Sequence, residues 1–177
     1  MRLRITEVEA YAGPEDSASH ARFGPTDRNA PMWGRAGLLY VYLCYGVHNM
    51  VNVSTGEAGS ASAVLIRSAE VVGGGKFVVE RRGRPASPQL CAGPGKVGQA
   101  LGLSRHASGE DLCTRGGTQL WLSAETPALL HGERVGIDFA QIADRKLRWR
   151  FALAGSAAVS HARALQALRC DPRGPQS

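Results

Sequence analysis

Apolar and polar side chains alternate along residues 2–12, and this period of two predicts a strand with Leu3, Ile5, Glu7, Glu9 and Tyr11 on one face. Residues 14–31 are rich in turn formers and predict a loop, with a short helical turn over 16–21 capped by Asp16 or Ser17. A second strand is expected over 38–44, with Tyr40 and Tyr42 on one face and Val41 and Leu43 on the other. Tyr45-Gly46 then makes a turn that leaves Tyr45 free to project, whereas Tyr40 reads as core. Two more strands follow over 49–54 and 63–72, separated by the small-residue segment 56–62. Arg67 interrupts the second apolar run. A cation there needs either an edge position or a buried acid partner, for which Glu9 is a candidate.

Residues 73–94 are rich in Gly, Pro and Arg and read as a connection. Residues 95–103 predict a short helix after Gly93-Pro94-Gly95-Lys96, where backbone N–H groups suit a phosphate. No Ser or Thr follows Lys96, so this is not a Walker A loop. Late strands are expected over 119–123 and 134–139, then an Ala-rich helix over 156–169 with Ser156 as N-cap. Residues 170–177 are expected to fray. Neither repeats nor a second domain are visible. The expected fold is a mixed α/β (α+β) single domain over 1–169, built on a curved antiparallel sheet flanked by short helices.

Composition narrows the classes. At 177 residues, 44% hydrophobic and 20% charged, the chain suits one domain rather than a disordered polyelectrolyte. Its apolar runs fall far short of the ~20 residues that span a bilayer. The start, MRLRITE, has no apolar signal region, so a cytoplasmic protein with no membrane association is expected. Cys44, Cys91, Cys113 and Cys170 lie too far apart for a CxxC zinc site, and the histidines are scattered, so no metal is expected. The net charge is +6, but residues 1–60 hold 5 basic and 6 acidic groups, whereas 61–150 hold 13 and 8. A basic surface of this kind favours a polyanion through counterion release, although charge runs are commonly solvated faces.

The candidate chemistry gathers in the nearly neutral first part. Glu9 lies on a largely apolar strand face beside Tyr11, with Arg67 available. A shielded carboxylate paired with Arg can stay ionised and act as a general base, the alternative being a structural salt bridge. Glu7 shares its face as a second carboxylate, but neighbours on one strand face point the same way instead of flanking a bond. All four tyrosines, Tyr11, Tyr40, Tyr42 and Tyr45, fall within the first 45 residues. With a basic surface they fit an enzyme that takes a base out of a duplex. Tyr11 and Tyr42 would stack on the base, and Tyr45 would serve as the wedge.

Eight blocks in order carry a resemblance: ITEVEAYAGPED (5–16), ASHA (18–21), TDRN (26–29), LYVYLCYG (39–46), NMVNV (49–53), AVLIR (63–67), GPGK (93–96) and RVGI (134–137). Together they resemble the alkyladenine (3-methyladenine) DNA glycosylase family of bacterial type, with fewer residues ahead of the first strand than members usually carry. The resemblance implies an enzyme that binds damaged double-stranded DNA in the minor groove. It would flip an alkylated or deaminated purine, such as 3-methyladenine or hypoxanthine, and hydrolyse the N-glycosidic bond without a cofactor.

Carried over residue by residue, Glu9 matches the base that activates water. Arg67 matches the residue that helps hold that water, with the Val135 carbonyl as a further contact. Tyr11 would stack on one face of the flipped base, and His20 with Tyr42 on the other. Tyr45 would fill the vacated stack. Asn52 would clash with the exocyclic amine of guanine. Thr26, Arg28 and Lys96 would contact phosphates. No lysine lies in the blocks that would line the pocket, which implies a monofunctional hydrolase. A monomer associated with the nucleoid is expected. The competing readings are a non-catalytic damaged-DNA or RNA binding module and a small-nucleoside hydrolase.

Overall fold

The computed structural model describes residues 1–168. Its centre is a seven-stranded antiparallel sheet in the order β2-β3-β4-β1-β6-β5-β7. The strands are β1 (Arg2–Tyr11), β2 (Leu39–Cys44), β3 (His48–Thr55), β4 (Ser62–Gly73), β5 (Leu129–Gly132), β6 (Arg150–Leu153) and β7 (Gln166–Ala167). Four short α-helices, α1 (Ala30–Trp33), α2 (Gly75–Arg82), α3 (Pro94–Leu101) and α4 (Ile142–Arg145), flank it, so the α+β class expected from the sequence holds.

Alternation along the strands divides the sheet into two faces. Leu39, Val41, Val51, Val53 and Ile66 point to one side, where they pack with Val78 of α2 and with Val97 and Ala100 of α3. Tyr40 and Ala63 point to the other, against Ala21, Met32 and the partly buried Tyr42. Helix α3 lies close on β3. A Cβ on Gly98 would stand 1.9 Å from the Asn49 carbonyl oxygen, so only glycine permits that approach.

Several expectations are corrected. The helical turn sits at His20–Phe23, capped by Ser19, while Asp16 accepts from the Ala18 N–H just before it. The connection over 73–94 contains α2, whose left-handed flanking glycines, Gly74 and Gly83, mimic turn signals. Residues 134–139 form no strand, because Gly136 at φ +79° breaks the extended run. Residues 119–123 form none either, and Leu122 is 98% exposed, away from the sheet.

The Ala-rich stretch from 156 forms no α-helix up to residue 168, only a single 3-10 turn at Ala162–Ala164 before β7, and residues 169–177 lie outside the described part. Its backbone groups serve distant partners instead. The Ser160 N–H donates to Glu7, and the Ala158 carbonyl accepts from the Thr6 hydroxyl. This sets non-local bonds ahead of Ala helix propensity.

Two compensating irregularities shape the middle of the sheet. Ile5 pairs with Ala69, Glu7 with Ser68 and Val8 with Ile66. Thr6 is thus the extra residue on β1, and Arg67 the extra residue on β4. Bulges re-aim side chains, and this one turns Arg67 toward the two glutamates of β1.

Candidate active site

A cleft of about 240 Å³ opens on the tyrosine face of the sheet. Tyr11, His20, Tyr40, Tyr42, Tyr45, Asn52, Arg67 and Val135 are among its lining residues. That volume lies below the ~300–1,000 Å³ of drug-sized sites.

Glu9 lies just behind the cleft wall, 0% exposed. Its Oε2 accepts from the Tyr11 hydroxyl at 2.9 Å. Its Oε1 accepts from the Val135 N–H at 2.7 Å and pairs with Arg67 Nη1 at 3.1 Å. Every group facing the carboxylate is a donor, the pattern an anionic acid needs. The expected Glu9–Arg67 pairing is therefore present. The Val135 contact seen here runs through its N–H rather than its carbonyl.

Tyr11 is braced from behind. The Arg134 guanidinium sits 4.8 Å from the Tyr11 ring and 5.1 Å from the Trp149 ring, and it forms a two-pronged pair with Asp16 at 2.5 and 2.9 Å. Burial, with Glu9 adding to it, pushes the Tyr11 hydroxyl well above the ordinary tyrosine range, so it remains a donor to Glu9.

The cleft is also lined by an aromatic cluster. His20 meets Tyr42 edge-on at 4.5 Å, and its Nδ1 lies 2.8 Å from the Tyr40 hydroxyl. Burial, with Arg28 and Arg22 nearby, lowers the His20 pKa from 6.5 to about 4, so the ring is neutral at pH 7. Asn52 is buried in the cleft, and its amide donates to the Tyr40 and Met50 carbonyls at 3.1 and 3.3 Å, which fixes its orientation.

Tyr45 stands at the tip of the β2–β3 hairpin. The Val47 N–H donates to the Cys44 carbonyl at 3.1 Å, and Tyr45 and Gly46 have φ of 50° and 69°. Both central residues at positive φ make this a type I′ turn. A tyrosine pays a strain penalty there that glycine avoids. The ring is 92% exposed at the mouth of the cleft.

The three expected phosphate contacts are less gathered. Thr26 and Arg28 are exposed on the loop before α1, where Thr26 and Asn29 exchange two hydrogen bonds. Lys96 lies in the first turn of α3, two residues after Pro94 of the cleft rim.

Sequence reasoning missed the polar support around the site. Glu7 is not a second acid in the cleft. It is fully buried and accepts from Arg67, Ser68, Arg150 and Ser160. Among the described residues, no three His, Cys, Asp or Glu side chains form a group able to hold a metal, and no helix is long and apolar enough to cross a membrane.

A family profile for methylpurine-DNA glycosylase (MPG) matches residues 1–157. The chain belongs to this family. A relative from Nitrosococcus oceani named "Putative 3-methyladenine DNA glycosylase" is 48% identical over 158 residues, covering 89% of this chain and 79% of its own. The DNA-3-methyladenine glycosylase of Arabidopsis thaliana is 49% identical over 160 residues, 89% of this chain, which spans 63% of the plant protein's length. A relative from Chlorobium phaeovibrioides with the same printed name as the first is 41% identical over 162 residues, 90% of this chain and 80% of its own. Membership in the methylpurine-DNA glycosylase family makes the chain a DNA N-glycosylase, a hydrolase of DNA repair.

Proposed function

We propose that the chain binds damaged duplex DNA through the minor groove, rotates an alkylated or deaminated purine into the cleft, and hydrolyses its N-glycosidic bond with water activated by Glu9. The carrying observation is the buried Glu9, bonded to the donors Tyr11, Arg67 and Val135, directly behind an aromatic cleft. Glu9 takes a proton from water as the water oxygen bonds to C1′. The C1′–N bond breaks, and its electron pair leaves with the purine. A 3-methylated adenine is already cationic and departs neutral, so one base and good positioning suffice. Hypoxanthine leaves as a neutral base only after gaining a proton.

Tyr11 stacks on one face of the flipped base, and His20 with Tyr42 on the other. Tyr45 occupies the gap left in the duplex. Asn52 disfavours guanine by opposing its exocyclic amine. Thr26, Arg28 and Lys96 contact phosphates. None of the cleft-lining residues is a lysine, which supports hydrolysis without a Schiff base. The protein works as a monomer, without a cofactor, where the nucleoid lies. The relatives' printed names speak of 3-methyladenine, which supports that lesion class here.

The test is release of free base from methylated DNA and from a duplex with a single hypoxanthine. Release by the wild type and none above background by Glu9→Gln is expected. Equal release by the two overturns the role of Glu9, and no release by the wild type overturns the reading.

A further inference from the structure

Behind Glu9 lies a second layer of charge. The bulge at Arg67 lets one guanidinium reach three partners: Nε to Glu7 at 3.0 Å, Nη1 to Glu9 at 3.1 Å and Nη2 to the Ser160 hydroxyl at 3.2 Å. Arg150 stands opposite Glu9 across β1 and β6, and its Nη1 reaches Glu7 at 3.4 Å. Glu7 Oε1 also accepts from the Ser160 hydroxyl at 2.8 Å, and Oε2 from Ser68 Oγ and the Ser160 N–H, each at 2.7 Å. Glu7, Glu9 and Arg150 are wholly buried, and Arg67 almost so. Two carboxylates and two guanidiniums therefore form one buried cluster with no net charge, and the proposed chemistry uses only Glu9 and Arg67.

We propose that Glu7 and Arg150 are positioning residues: Glu7 anchors Arg67 so that Nη1 meets Glu9, and it cancels the charge of Arg150 that would otherwise act on Glu9. This rests on the reading of Glu9 as general base. A carboxylate beside an uncancelled buried cation holds its charge more firmly and takes a proton from water less readily. The same cation opposes the positive charge that grows on the sugar as the bond to C1′ breaks. The groups facing Glu9 are Tyr11 on β1, Arg67 on β4, Tyr42 on β2 and Arg150 on β6, with Arg134 beyond Tyr11. Of these, Arg67 and Arg150 carry the charge that Glu7 offsets.

The experiment measures single-turnover base release against pH, with melting curves to confirm folding, for wild type, Glu7→Gln, Arg150→Met, the double variant and Glu9→Gln. Glu7→Gln is expected to move the low-pH limb of the rate profile down by ~1 unit, the low end of the shift a nearby opposite charge produces, and to lower the plateau by up to about tenfold as the base weakens. Arg150→Met leaves Glu7 in excess and moves the limb up. The double variant restores the wild-type limb. Removing both members of a buried ion pair is commonly tolerated, so this variant remains measurable where a single variant does not fold. A structural role alone lowers melting temperature and active fraction but leaves the limb fixed. A fixed limb in a folded single variant, shifts of the same sign in both singles, or a double variant that keeps a shifted limb overturns the inference. If wild-type release does not depend on Glu9, the general-base reading itself fails. If release depends on Glu9 and the limb ignores Glu7, only the positioning role fails.

Discussion

Replacing Asp16 with Asn tests how the site is held. Asp16 is buried, and its two oxygens take both prongs of Arg134 at 2.5 and 2.9 Å while also accepting from the Ala12 and Ala18 N–H groups. Arg134 is buried as well, with its Nη atoms further bonded to the Ala10 and Asp144 carbonyls. The Asn variant keeps the shape but presents an N–H₂ to a guanidinium and leaves that cation without its counter-charge. Breaking a buried pair from one side costs about 3–5 kcal/mol. In a chain of this length each kcal/mol is worth ~2–4 °C, so the melting temperature should fall by ~6–20 °C. The assay is thermal unfolding followed by circular dichroism at matched pH and salt. Because Arg134 precedes Val135, whose N–H holds Glu9, base release should also fall at temperatures where the variant is still folded. The double variant Asp16→Asn/Arg134→Met should recover part of the lost stability. A drop of less than ~2 °C in Asp16→Asn would refute the argument that this pair braces the site.

Three further outcomes are expected. Tyr45→Gly removes the left-handed strain at the hairpin tip, so stability should hold or rise by up to ~1 kcal/mol while lesion-specific binding falls and nonspecific binding persists; a loss of both alike counts against the wedge role. Gly98→Ala places a Cβ 1.9 Å from the Asn49 carbonyl and should cost about 1–3 kcal/mol in urea unfolding, with α3 pushed off β3; an unchanged midpoint would contradict that packing. His20 has its pKa lowered from 6.5 to about 4 by burial, so its contribution to stability is complete above pH 6.5 and is lost as pH falls toward 4. His20→Gln should therefore flatten the acid side of a plot of melting temperature against pH.

The parts of the fold legible in the sequence are those with a long apolar run or regular alternation. Strands β1 to β4 run for six to twelve residues and appear where alternation in β1 and β2 and the apolar runs of β3 and β4 place them, with Tyr40 and Tyr42 on the cleft side. Strands β5 and β6 have four residues each, too short for a period to separate them from loop. The wrap from residue 156 was illegible because its decisive bonds are remote: Ser160 and Glu7 lie 153 positions apart. Within the site, the nearness of Glu9 and Tyr11 followed from their spacing, and the Glu9–Arg67 pair from the cost of a lone buried cation. The bulge that aims Arg67 has no local signature. Asp16 and Arg134, 118 positions apart, were visible only as separate charges. His20 and Asn52 stood out through family resemblance alone, since neither carries a spacing that marks a cleft.

The hairpin tip bears on how a lesion would be found. Tyr45 is held out by a tight turn whose backbone angles are set when the chain folds, so its display requires no loop to order itself as a duplex arrives. On the proposed role, the ordering entropy is settled before any encounter. A protein tracking along a helix can then test each stacked pair as fast as it arrives, and only pairs already weakened by damage yield before it moves on.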